Sequence, residues 1–207
     1  VSDFPSEFTQ QTTPFDESLF SEPDIELIHN LNEMGYEVHF GLTPGYADDI
    51  SKMCLQPSIR EYCPNDSGRR FTDLKATERW LSKGRAAFLL LKKEAGDLRL
   101  SGYGWSGLEK NSRVMSGETT FALRIGEADQ GKRLATPFCR LILAGTAAIY
   151  EAKEMWLETW SSDAAAVHIY HKIGFVDVGQ VNDKRPTLSG QSVVDTRLYM
   201  SLPSDRL

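Results

Sequence analysis

The chain has 207 residues, 41% of them hydrophobic and 25% charged, which is enough to bury a substantial core without disulfides or a structural metal. Its net charge of -6 argues against broad nucleic-acid binding, which needs a basic face, and mildly favours cationic or amine partners. No apolar run approaches the roughly 20 residues that cross a bilayer, the N-terminus carries no apolar signal core, and three cysteines without Cys-x-x-Cys spacing suit a reducing compartment. The expectation is a cytoplasmic location with no membrane association.

Residues 1–20 are too polar to order themselves, so a flexible N-terminal arm is expected, although Phe4, Phe8, Phe15 and Phe20 punctuate it and allow docking. One domain is expected over residues 21–207. Pro23 in a first turn and Gly35 after a last one bound a short helix. YEVHFGL (36–42) alternates like a strand, and Thr43-Pro44 opens a helix to about residue 55. A turn at residues 65–68 precedes a helix capped by Thr72 or Asp73 and ended by Gly84. Three strands then follow in antiparallel order, AAFLLLKK, LRLSGYGWSGL and GETTFALRI.

Residues 133–152 form the long helix, with Leu134, Phe138, Leu141, Ile142, Gly145 and Ile149 on one stripe. MWLETW is a fifth strand. Two more, FVDVGQV and TRLYMSL, close the chain around a polar loop at 182–193. Before them lies SSDAAAVHIYHKIGF, where Ala166, Ile169, Tyr170 and Ile173 recur at helical spacing and Gly174 stops the helix. The Tyr170 hydroxyl is therefore held on a rigid element.

In that block Asp163, Ala166, Ile169, Tyr170, Lys172, Gly174 and Phe175 resemble the last motif of the GNAT superfamily of acyl-CoA-dependent N-acyltransferases, Asn-x-x-Ala-x-x-Leu-Tyr-x-Lys-x-Gly-Phe. The element order resembles that superfamily over residues 36–202. The implied fold is α/β, a mixed, mostly antiparallel sheet of about seven strands with helices on both faces. In that fold the fourth and fifth strands part, and the pantetheine arm of acetyl-CoA runs between them against backbone near Leu123 and Ile125.

GEADQGKRLA resembles the superfamily's pyrophosphate loop, Gln/Arg-x-x-Gly-x-Gly/Ala, through Gln130, Gly131, Arg133, Leu134 and Ala135. Unpaired amides at a helix start suit an anion, and Lys132 adds charge. Arg133 stands where the motif has glycine, and Asp163 stands where it has asparagine.

The resemblance implies an acyltransferase moving acetyl, or another short acyl group, to a small-molecule or peptide amine without a metal. The alternative is a non-catalytic binding module of the same fold. Tyr170, a phenol protonated at neutral pH, is the expected acid for the departing thiolate. Glu158 shares a strand face with Trp156 and Trp160, so an apolar surround is expected to make it the base, as the similar region of the ribosomal-protein alanine acetyltransferases implies. Glu118 ranks second, one residue from the position some members use. His168 and His171 have metal-like i, i+3 spacing without accompanying ligands, and Cys139 lies in the apolar long helix; neither is expected to act.

Overall fold

The computed structural model describes residues 7–111 and 118–203, and its framework is one eight-stranded sheet. The strands are β1 (Thr13–Pro14), β2 (Tyr36–Phe40), β3 (Arg85–Glu94), β4 (Asp97–Leu108), β5 (Thr119–Ile125), β6 (Met155–Trp160), β7 (Val176–Pro186) and β8 (Ser192–Leu202). Their spatial order is β1-β2-β3-β4-β5-β6-β8-β7, antiparallel throughout except between β5 and β6. The seven strands read from the sequence are present, and β1 is an addition from the N-terminal segment.

The helices are α1 (Glu22–Glu33), α2 (Pro44–Met53), α3 (Pro57–Tyr62), α4 (Leu74–Leu81), α5 (Ala135–Tyr150) and α6 (Ala164–Ile173). Their starts follow local chemistry. Thr43 caps α2 ahead of Pro44, Asp73 accepts from the Ala76 amide at α4, and Asp163 accepts from the Ala166 amide at α6. The long helix begins at Ala135 rather than at residue 133, because Arg133 is left-handed (φ 62°) and cannot belong to it.

Strand β3 is apolar on both sides because both faces of the sheet are covered. Phe88 and Leu90 join a core with Phe138 and Ile142 of α5 and Tyr170 of α6, whereas Leu89 and Leu91 join Ile50 of α2, Ile59 of α3 and Trp80 of α4. Helix α5 lies so close to β4 that a Cβ on Gly104 would come within 2.4 Å of Ile142 Cδ1. A side chain at residue 104 would require Ile142 to shift.

Among the described residues β5 and β6 pair only at Thr119 with Met155 and at Thr120 with Trp156. Beyond these pairs the strands diverge. The rings of Phe121, Tyr170 and Phe175 pack together beside that point, with centroids 5.7 to 6.1 Å apart.

Two regions differ from the sequence reading. The expected polar loop at 182–193 is largely strand, since β7 and β8 form a long hairpin closed by a tight turn in which the Thr187 amide donates to the Gln191 carbonyl at 2.7 Å. Its polar composition reflects solvent on an edge hairpin, where side chains need not be apolar. The segment expected to be a flexible arm lies along β2 from Thr9 onward: the Thr9 amide bonds Leu42, the Phe15 amide bonds Val38, and Phe15 stacks on Phe20 at 4.9 Å and meets Phe88 edge-on at 5.9 Å. Phe8 packs against the core beneath α2 and α4, while Phe4 falls outside the described residues. Phenylalanine in a polar segment supplies the burial that offsets ordering.

Phe15→Ala is expected to lower stability by about 2 kcal/mol, a fall in Tm of roughly 4–8 °C by differential scanning calorimetry. An unchanged Tm would mean that the segment does not contribute.

Candidate active site

The divergence of β5 from β6 opens a cleft of about 670 Å³ that crosses the sheet. Leu123 and Ile125 line it from β5, Tyr170, Ala166 and Asp163 from α6, Trp156, Glu158 and Trp160 from β6, and Gln130 from the loop before α5. The sequence-derived candidates on these four elements therefore converge in space.

At the loop end, residues 131–136 offer backbone amides with no hydrogen-bond partner among the described residues. Pro137 has none to offer. Left-handed Gly131 (φ 77°) and Arg133 (φ 62°) alternate with right-handed Leu134, the pattern by which successive amides converge on one concavity. Leu134 is buried and anchors the turn, and Ala135 starts α5. The glycine of the similar motif thus answers a backbone requirement that Arg133 meets under strain. Arg133→Gly is expected to raise stability by about 0.5–1 kcal/mol, read from urea unfolding.

Below this loop the carboxylate of Asp129 accepts from Lys132 at 2.7 Å, Arg99 at 2.8 Å and Tyr36 at 2.9 Å. Burial opposes its ionisation, and these bonds overcome that, holding the carboxyl well below the usual range. Much of Lys132's charge is therefore committed to the protein. A carboxyl with a depressed folded pKa contributes stability that is present above the unfolded value near 4 and lost as pH falls below it. Asp129→Asn should cost about 1–3 kcal/mol at pH 7, and the gap to the parent should narrow in urea titrations toward pH 3.

Gln130 Nε2 donates to the Ile125 carbonyl at 3.0 Å, and Arg124 Nη1 donates to the Leu123 carbonyl at 2.6 Å. Both carbonyls are therefore turned away from β4, toward the parted side. That orientation leaves them reachable by an extended ligand that displaces a side chain.

Tyr170 is buried, and burial pushes its phenol well above the usual range, with Cys139 adding to this and Arg124 opposing it. It holds its proton throughout the neutral range. Asp163 caps α6 and is raised by burial, so its role as helix cap is visible where its counterpart in the motif is an amide.

The two glutamates do not occupy the surroundings expected of them. Glu158 lines the cleft, but it is ion-paired to Arg197 at 2.6 Å, and that guanidinium stacks on Trp160 at 4.1 Å. The apolar surround expected on β6 is interrupted because β8 brings Arg197 alongside. Glu118 is exposed just before β5, paired with Lys110 at 2.5 Å, and outside the cleft. His171 pairs with Asp177 in solvent, and buried Cys139 is pushed up by desolvation; among the described residues no group could hold a metal.

One cluster was not anticipated. A π-turn, Asp66–Arg70, closed by the Phe71 amide on the Asp66 carbonyl at 2.9 Å, drives Asp66 fully inside. Its carboxylate accepts from Arg70 at 2.9 Å, Tyr103 at 2.8 Å and Arg124 at 3.1 Å. Arg70 and Arg124 line the cleft. A detectable signal existed in FALRI, since an arginine inside a strand of a doubly covered sheet requires a buried partner.

No protein-family profile and no curated protein matches this chain. Solved structures do. The spermidine N-acetyltransferase of Vibrio cholerae, determined with CoA and spermine, superposes with a TM-score of 0.67 over 84% of this chain and 98% of its own at 16% identity. The ribosomal-protein-S5-alanine acetyltransferase of Vibrio fischeri gives 0.62 over 83% and 94% at 11% identity. A GNAT-family acetyltransferase of Streptococcus pneumoniae gives 0.59 over 81% and 99% at 16% identity. The chain has the GNAT fold.

Proposed function

We propose that this protein transfers an acetyl or other short acyl group from acyl-CoA to a primary amine by direct attack. The observation that carries the reading is the cleft between β5 and β6, with Tyr170 inside it and unpartnered amides of residues 131–136 at its end. These parts fit a CoA ester: the amides suit its pyrophosphate, and the β5 backbone at Leu123 and Ile125 suits its amide-bearing arm. Bound acyl-CoA supplies the activated acyl group and a thiolate leaving group.

The chain's own residues then do three things. The cleft holds amine and thioester together, which removes most of the entropic barrier. Tyr170 keeps a proton on Oη for the departing sulfur. Glu158, tied to Arg197, fixes the β6 wall beside the acceptor. The amine proton leaves toward solvent on the open side of the cleft.

Acetyl-CoA should bind at micromolar concentration by calorimetry and raise Tm. Tyr170→Phe should lower kcat at least about tenfold with little change in that affinity, since a proton donor acts chiefly in the transition state. Absence of binding at millimolar acetyl-CoA and CoA would remove the enzyme reading and favour a binding module. Wild-type turnover by Tyr170→Phe would remove Tyr170 as the acid.

A further inference from the structure

Taking the acyl-transfer reading as given, the imbalance of hydrogen-bonding groups in the cleft says what the acceptor must bring. On the side covered by α3 and α4, the described walls are Tyr62, Trp105, Trp156 and Trp160, with Arg70 and Arg124 between them. Each carboxylate of the cleft is already engaged there. Glu109 takes Arg85 at 2.5 Å, Glu158 takes Arg197, and Asp163 takes the Ala166 amide.

The donors show the opposite condition. Arg70 Nε and Trp105 Nε1 are buried without a hydrogen-bond partner, although Trp105 is only 5% exposed and lines the cleft. Immediately behind them Trp80 Nε1, Arg85 Nε and Arg85 Nη1 are also unpartnered. The groups form one stack, with the Arg70 guanidinium 4.6 Å from the Trp80 ring centre and 5.0 Å from that of Trp105, and Arg85 at 4.7 and 5.3 Å. Leaving buried donors unmade is costly, and a neutral partner would satisfy them only in part. Among the described residues Arg70 and Arg124 also share Asp66 as their one ion-pair partner.

We infer that the acceptor is a primary amine bearing a carboxylate, an amino acid or a peptide with an acidic group near its amine, whose carboxylate is received by Arg70 and Trp105. A polyamine is disfavoured, because it needs free carboxylates and the cleft's are taken. Planar bidentate recognition suits guanidinium better than ammonium. Both nitrogens are shielded in this structure, so binding draws Arg70 forward off the rings of Trp80 and Trp105. Tryptophan fluorescence reports that movement directly.

Two measurements test this. Thiol release from acetyl-CoA is followed with amino acids and acidic dipeptides, with their carboxamides, and with spermidine. The carboxylates should exceed the carboxamides at least tenfold in kcat/KM, with spermidine at background. Arg70→Gln should collapse that ratio toward one, Trp105→Phe should reduce it, and Arg70→Lys should restore part of it. Equal rates for acids and amides, a preference for spermidine, or an undiminished ratio in Arg70→Gln would overturn the assignment. Should Arg70→Gln fail to fold, Trp105→Phe decides, since it leaves the Asp66 pairs intact.

Fluorescence titration with N-acetyl amino acids and their amides needs neither acetyl-CoA nor turnover. A saturable response to the acids alone, lost in Arg70→Gln, sustains the carboxylate site even if acetyl-CoA does not bind and the acyl-transfer reading fails. No difference between acids and amides across the series overturns the site whatever acetyl-CoA does.

Discussion

Among the described residues two pairs hold β5 to β6, and the rest of the site depends on their being so few. The strands are parallel because the chain crosses from one to the other through α5, a connection that returns it to the same end of the sheet. β6 is held along its whole length by β8 on its other side, so it stays in the sheet where it leaves β5. Aromatic packing of Phe121, Tyr170 and Phe175 fills the space beside the parting on the α5 and α6 face. What results is a passage through the sheet rather than a pocket on one side of it. A ligand held at the start of α5 and another entering beside α3 and α4 can therefore meet without sharing an entrance.

The second entrance is framed by charge. Arg185 near the end of β7 donates to Glu61 of α3 at 2.5 Å and to Asp195 of β8 at 2.9 Å, and stacks on Tyr62 at 4.9 Å. The edge hairpin is thus tied to a short helix that would otherwise have little to rest on, and Pro186 comes to line the cleft. The guanidinium is largely buried, where a paired charge is held far more firmly than on the surface.

The sequence made legible what depends on period and local chemistry. Strand alternation, the proline and aspartate starts of helices and the Gly174 stop all follow from neighbours a few residues away, and so does Tyr170 on a helix face. The loop at residues 130–135 was also legible as a turn ahead of a helix, although the reason the similar motif has glycine at position 133, a left-handed backbone, is conformational and appears only in the dihedral angle. Glu158 shows the limit. Its face was read correctly from alternation within β6, but its environment is set by Arg197, 39 residues away on a strand whose register no local signal specifies. Asp66 was harder still, because in CPNDSGRR it reads as an ordinary polar turn, and its burial depends on Tyr103 and Arg124 arriving from β4 and β5. The phenylalanines of the N-terminal segment hinted at docking, yet their partners Val38 and Phe88 become adjacent only when β2 and β3 pair.

The carboxylate of Asp66 also constrains how this protein can change over generations. Replacing it by a neutral residue would leave two guanidiniums facing each other in a dry site, and replacing either arginine alone would shift the charge of the cleft wall by one unit. Positions 66, 70 and 124 therefore share one charge balance, and a change at any of them alters what the other two require.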